Sequence, residues 1–193
     1  MASRHAAARS ARTRLLDAAS RLFYADGMTS TGINTITAEA GVAKMSLYNN
    51  FSSKEELMLA YIEARHEEWL GLYRARVESA SSPLDQVLAV FDAYIDHASF
   101  EYERGFRGCG LLNAAAELPA GAGGRDAVRR HKEQVESILA GHLGGLVPEP
   151  AVVATAEHLS FLLEGAMSRA GLEGSADRLV HARQLASDLL GAR

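Results

Sequence analysis

Apolar residues in this chain return at helical spacing in segment after segment, and nowhere do they alternate over a run long enough for a strand. That pattern points to an all-α fold. Leu15, Ala18, Leu22 and Phe23 recur over residues 10–26, and Gly27 stands where a helix C-terminus favours glycine. A Thr-, Ser- and Gly-containing loop follows, and then two short helices are predicted over 35–40 and 44–50. Ser53-Lys54-Glu55-Glu56 has the form of a capping box, in which each end's side chain satisfies the other's free amide. The helix it opens is expected to run to about Ala80, with Gly71 a weak point of ~1 kcal/mol relative to Ala. Pro83 suits a first helical turn, and Leu84, Val87, Leu88, Phe91, Ile95 and Ala98 then trace one face. Further helices are expected from Cys109 to Leu118, around Val128–Leu143, over 150–171 and over 177–190. Pro119, Gly144-Gly145, Pro148, Gly171 and Gly174 divide them.

Between Asn34 and Phe51 the two short helices are separated by Ala40-Gly41-Val42. Helices that cross tightly need small residues at the contact and a residue tolerant of positive φ at the turn, which Ala38, Ala40 and Gly41 supply. With Ile36, Val42, Leu47 and Phe51 turned inward, Lys44, Met45, Ser46, Tyr48, Asn49 and Asn50 are left facing out. That set suits a major groove, where lysine addresses guanine acceptors and asparagine addresses adenine. Taken alone, such a turn more often marks ordinary packing of an αα-hairpin.

Charge is divided along the chain. Residues 1–54 carry Arg4, Arg9, Arg12, Arg14, Arg21, Lys44 and Lys54 against Asp17, Asp26 and Glu39, a net of +4 within a total of −4. A basic head on an acidic remainder places one end against phosphate. Arg4, Arg9, Arg12 and Arg14 read either as a solvated terminus or as an arm reaching phosphate or the minor groove. Cys109 is the single cysteine, so an intramolecular disulfide and a thiol-metal cluster are both excluded. No run approaches the length of a membrane span and no secretory h-region is evident, so a cytoplasmic location is expected.

Gly27, Thr35-Ile36, Ala40-Gly41-Val42, Leu47-Tyr48, Phe51 and Ser53-Lys54-Glu55-Glu56-Leu57 resemble, in order and spacing, the DNA-binding head of the tetracycline-repressor (TetR) family. The resemblance is strongest over residues 10–60. It implies an N-terminal arm and three-helix helix-turn-helix domain over 1–52, then a helical domain over 53–193 for effector binding and dimerisation. It places Lys44, Met45, Ser46 and Asn49 toward bases and Thr35, Tyr48 and Lys54 toward phosphates, with Thr37 and Asn50 completing the DNA-facing set. Met45 stands where a small residue or proline is common in the family, and Asn50 where histidine is common, so no operator sequence is carried over.

The implied function is a ligand-responsive regulator, by family default a repressor, that binds a palindromic operator as a homodimer. Trp69, Phe91, Tyr94, His97, Phe106, Cys109, Asn113, Phe161 and Glu164 lie on helices the family wraps around a largely apolar small-molecule effector, although most of the aromatic rings serve equally well as plain core. Residues 105–117 resemble a segment common in one branch of the family. The dimer is expected through Ala156, Leu159, Leu163 and Met167 with Leu179, Ala182, Ala186 and Leu189, stripes that would also serve packing within one chain.

Enzymatic chemistry finds no support. The seven histidines form no His-Glu-x-x-His, no Gly-x-Ser-x-Gly elbow is present, and Gly121-Ala122-Gly123-Gly124 lacks the spacing of a dinucleotide loop. No catalytic residue, metal or cofactor is expected. The alternative is a helical small-molecule-binding or redox-sensing protein without operator binding, with Cys109 as its thiol.

Overall fold

The computed structural model describes residues 10–100 and 102–191, so Arg4 and Arg9 of the expected arm lie outside the described residues. Among those residues it holds nine α-helices and no strand, and it divides into two compact units, Met1–Tyr61 and Ile62–Arg193.

The first unit contains α1 (Ala11–Asp26), α2 (Ile33–Glu39), α3 (Lys44–Asn50) and the start of α4 (Lys54–Val77). The Ser10 hydroxyl accepts the Thr13 amide at 3.1 Å and so caps α1, which ends on Gly27 at φ +92°. Leu15, Ala18, Ala19 and Phe23 are buried on α1 with Ile36 of α2 and Leu47 of α3, so one apolar stripe on α1 faces both short helices. Ser53 caps α4 by accepting the Glu56 amide at 3.2 Å. The expected capping box closes only by half. The Glu56 carboxylate accepts instead from the Ser52 amide and hydroxyl, each at 2.6 Å, because Ser52 offers it two donors at one site. Those bonds hold the Glu56 carboxyl below the usual carboxylate range.

The division between the units falls inside α4, about two turns past its start. Leu57, Met58 and Tyr61 are buried, and the Phe23 ring meets Tyr61 edge-on at 5.5 Å.

The second unit is built on α5 (Pro83–Ala98), which is buried on most sides and packs against α7 (Gly123–His142), α8 (Val152–Glu173) and α9 (Asp177–Gly191). Ser82 caps α5 through the Asp85 amide, with Pro83 in the first turn. The short α6 (Gly110–Ala116) lies on α7. The sequence suggests that α8 stops at Gly171, yet the helix continues to Glu173 and ends on left-handed Gly174 at φ +70°. Gly171 is needed for a close approach instead: a Cβ there would stand 2.6 Å from the Gly108 Cα, so two bare backbones touch. No helix among the described residues is long and apolar enough to cross a membrane.

Candidate DNA-binding surface and effector cavity

The turn between α2 and α3 is made by Gly41 at φ +62°, a conformation that costs an L side chain ~1–2 kcal/mol. Leu47 and Phe51, one helical turn apart, are fully buried, which fixes the rotation of α3. The opposite face carries Lys44, Met45 at 68% exposure, Tyr48 at 45% and Asn49. Among the described residues, the polar ends of Lys44, Tyr48 and Asn49 have no hydrogen-bond partner.

The other expected contact residues divide. Thr35 is exposed on α2, and Ser46 is half-buried. Lys54 is half-buried and its Nζ donates to the Thr29 carbonyl at 3.3 Å. Asn50 is half-buried, with Nδ2 donating to the Ser46 carbonyl at 2.7 Å, so its amide is spent on the end of its own helix. Thr37 corrects the expected set. It is only 5% exposed, and its hydroxyl donates back to the Ile33 and Asn34 carbonyls, because its place on α2 faces the protein interior.

Two arginines read as a terminus or arm have a structural place. Arg12 donates to the Asn50 carbonyl at 2.6 Å and lies 4.2 Å from the centroid of the Phe51 ring, so it holds the C-terminal end of α3 by a charge-assisted bond and a cation–π contact. Arg14 donates to the Gly41 carbonyl at 3.3 Å, and Arg21 pairs with Glu39 at 2.6 Å. Only their coincidence with α1 in the sequence hints at this role.

In the second unit a cavity of about 20 Å³, near the room one water occupies, is lined by Arg65, Trp69, Tyr94, His97, Cys109, Gly110, Leu111, His131 and Met167. Trp69, Tyr94, His97 and Cys109 were all expected at an effector site. Trp69 stacks on Tyr73 and meets Tyr94 and His131, and its indole Nε1 is buried without a hydrogen-bond partner among the described residues. His131 and His66 approach Nδ1 to Nδ1 at 2.8 Å, one donating to the other. Lys132 Nζ donates to Glu164 Oε1 at 2.7 Å and also reaches the Tyr94 hydroxyl at 3.4 Å and Cys109 Sγ at 3.7 Å.

Burial pulls the His97 and His131 pKa values down to about 4 and about 2. The positive charges of Arg65 and Lys132 at His97, and of Lys132 at His131, add to the effect, so both rings stay neutral. Burial also opposes the Lys132 charge, but Cys109, Tyr94 and Glu164 around it outweigh that cost and hold the ammonium above the usual lysine range. Burial drives the Tyr94 hydroxyl well above the usual tyrosine value.

Other expected ligand residues lie elsewhere. Phe91 is sealed in the core, and Phe106 is buried against the edge of His97 at 6.5 Å. Glu164 stands behind Lys132 rather than on the cavity wall. Asn113 donates to the Arg107 carbonyl at 3.1 Å and lines a separate outer cleft of about 440 Å³, which shares Cys109 and Met167 with the cavity. Phe161 corrects the ligand set, being 66% exposed on the outer face of α8.

Arg65, His131 and Met167 were missed as cavity residues, and so was Lys132, which stands behind the wall against Tyr94 and Cys109. The signal for two of them was present: His131 and Lys132 fall in register with Val128, Val135 and Leu139, polar groups set into an apolar stripe.

The expected dimer stripes face the interior of a single chain. Ala156, Leu159, Leu163, Met167, Leu179, Ala182 and Ala186 are at most 2% exposed, packed among α5, α7, α8 and α9. Leu189 is half-exposed, and Leu190 closes the buried row of α9 instead. Two positions along a helix turn by roughly 200°, which is why Phe161 points away from its neighbours Leu159 and Leu163. An open groove of about 420 Å³ runs along this outer face past Phe161, Leu162, Ala166 and Leu185.

Residues 15–61 match the model for bacterial regulatory proteins of the tetR family. The chain is 34% identical over 85 residues to the transcriptional repressor KstR2 of Mycolicibacterium smegmatis, a match covering 44% of this chain and 41% of that protein. It is 31% identical over 96 residues to the transcriptional activator FasR of the same organism, covering 50% and 43%. The chain thus spans about two fifths of the length of the curated relatives it matches. SCO4454, a TetR-family transcriptional regulator from Streptomyces coelicolor, superimposes with a TM-score of 0.82 at 34% identity, covering 93% of this chain and 95% of that one. These relatives are transcriptional regulators rather than enzymes. With a helix-turn-helix closed by Gly41 and an all-helical second unit matched over nearly its whole length, the chain belongs to the TetR family of bacterial transcriptional regulators.

Proposed function

We propose that this protein is an effector-responsive repressor that binds a palindromic operator in the cytoplasm as a homodimer. The observation that carries the reading is the outward face of α3, where Lys44, Tyr48 and Asn49 keep their polar ends unengaged beside exposed Met45. Lys44, Met45, Ser46 and Asn49 address bases, while Thr35, Tyr48 and Lys54 address phosphates. Residues 1–52 serve DNA binding and residues 53–193 serve effector binding and dimerisation.

The dimer forms through the outer face of α8 and α9, where Phe161, Leu162, Ala166 and Leu185 line an apolar groove, so that each chain contributes two helices to a bundle. Trp69, Tyr94, His97 and Cys109, with His131 and Met167, form the effector cavity. Its volume of about 20 Å³ is small enough that an effector must widen it, and the resulting shift among helices would alter the spacing of the two heads. Fluorescence anisotropy on duplexes recovered by binding-site selection tests the reading. A specific complex that weakens steeply with salt is expected; no preference for any duplex at low salt would overturn it.

A further inference from the structure

The cavity of the second unit is asymmetric in its hydrogen-bonding groups, and this bears on what it accepts. Trp69 Nε1 is a donor with no partner inside a side chain only 3% exposed, and it belongs to a residue that lines the cavity. An indole N–H can only donate, so whatever satisfies it must bring an acceptor.

The charged groups around the cavity point the same way. From α4, Arg65 lines it, while Glu68, its partner at 2.8 Å, does not; burial also pushes the Glu68 carboxyl up, toward its neutral form. From α7, Lys132 sits beside two lining groups, the Tyr94 hydroxyl and Cys109 Sγ, while its carboxylate partner Glu164 on α8 is set behind it. Cationic groups therefore stand nearer the cavity than their counter-charges. His97 and His131 are neutral and each keeps one ring N–H.

Cys109 and Met167 line both this cavity and the outer cleft of about 440 Å³, which continues past Gly108, Leu112 and Leu172. Only those two side chains are shared by the two spaces, and Met167 is an unbranched chain that repacks readily. An inner end with an unpartnered donor, separated by Cys109 and Met167 from an outer cleft that carries Leu112 and Leu172 beside Arg107, Asn113 and Ser168, matches an amphipathic molecule lying across the wall.

We propose that the effector is an organic acid whose carboxylate accepts from Trp69 Nε1 at the inner end and whose apolar body passes between Cys109 and Met167 into the outer cleft. This rests on the effector-responsive reading above and names the class of ligand for the same site.

Trp69 is the only tryptophan in the chain, so its emission reports on the cavity alone. The test titrates the full protein with 4-phenylbutanoate, 4-phenyl-1-butanol and 4-phenylbutylammonium, three probes that share a body and differ in head group, following Trp69 emission and binding heat. The expected result is a change in emission with the acid and at least tenfold weaker binding of the alcohol and the ammonium. Trp69→Phe keeps an aromatic ring, smaller than the indole, and removes the N–H. Read by calorimetry, with circular dichroism confirming the fold, it is expected to weaken the acid about tenfold and leave the alcohol little changed. Equal binding of all three probes, preference for the cation, binding of none, or an unchanged affinity for the acid in Trp69→Phe would each overturn the proposal. DNA anisotropy without any probe decides the regulator reading separately. A chain that binds 4-phenylbutanoate and ignores DNA would retain this inference and lose that one.

Discussion

The outward face of α3 and the cavity of the second unit handle their polar groups in opposite ways. On α3, Lys44, Tyr48 and Asn49 are exposed and have no partner among the described residues, which costs nothing while water serves them and leaves them ready for another molecule's groups. Around the cavity, Lys132 bonds Glu164 and Tyr94, and His66 bonds His131, while the Trp69 indole N–H and Glu164 Oε2 are left without a partner among the described residues. A surface that meets a polyanion keeps its options open; a buried site satisfies itself first, because an unpaired polar group in the interior costs ~1–3 kcal/mol. The two regions should therefore respond to different perturbations.

Acid should separate them most strongly. His97 titrates near pH 4 and His131 near 2 in the folded chain, against an ordinary value of 6.5. As pH falls below 6.5 the unfolded chain takes up protons that the folded one refuses, so stability is present at neutral pH and declines downward, by at most ~1.4 kcal/mol per unit for each ring. By pH 4.5 the two together cost on the order of 5 kcal/mol, a large share of a typical domain's stability. Residues 10–61 contain no histidine, so the head lacks this sensitivity. Denaturant unfolding followed by Trp69 emission for the body and by amide exchange for the head should show only the body weakening between pH 6.5 and 4.5. His97→Gln and His131→Gln should flatten that slope. A body as stable at pH 4.5 as at 7 would place both rings in contact with water.

The two faces of α8 sharpen the same contrast between inward and outward groups. Leu163 is fully buried, and Leu163→Ala should cost ~3 kcal/mol through the cavity it leaves, seen as a lower melting temperature at any protein concentration. Phe161→Glu, on the exposed face, should leave the fold within ~0.5 kcal/mol and shift the chain to a monomer in sedimentation. If Phe161→Glu stayed dimeric, the interface would lie elsewhere.

That contrast also explains what could be read in advance. The head was legible because its demands are local: a glycine at positive φ, and Leu47 and Phe51 one turn apart, fix which residues of α3 face out. For α8 and α9, periodicity shows that Leu159, Leu163, Leu179 and Ala186 form stripes, but a stripe does not say whether its partner belongs to the same chain. The family pattern supplied a dimer, and the stripes turned out to pack on α5 and α7. Thr37 escaped for a similar reason, since a threonine on a short helix reads as polar although its hydroxyl returns to its own backbone. The roles of Arg12 and Arg14 depend on carbonyls 38 and 27 residues away, which no local pattern encodes.

On the recognition face, removing an unengaged side chain should alter binding and spare stability. Tyr48→Ala should weaken operator binding about tenfold across sequences, equivalent to ~1.4 kcal/mol, with the melting temperature nearly unchanged. Lys44→Ala should both reduce the salt dependence and relax base preference, since its amine is placed for a guanine edge. Anisotropy at several salt concentrations on matched and mismatched duplexes separates the two. Equal losses on every duplex for Lys44→Ala would assign it to phosphate instead.

The smallest effect belongs to the turn that sets the geometry. Gly41→Ala meets open space, its nearest neighbour being the Arg14 guanidinium at 3.9 Å, so no clash arises and the cost is the left-handed backbone alone, ~1 kcal/mol. Relief of that strain would rotate α3 and disturb the Arg14 bond to the residue 41 carbonyl. The expected signature is a modest loss of head stability by amide exchange together with a several-fold loss of operator affinity, while Trp69 emission and the acid sensitivity of the body stay as they were. Substitution with Asn, which tolerates positive φ better than Ala, should recover part of both losses. If Gly41→Ala lowered affinity with no change in exchange, the turn would be acting through direct contact with DNA and not through the pose of α3.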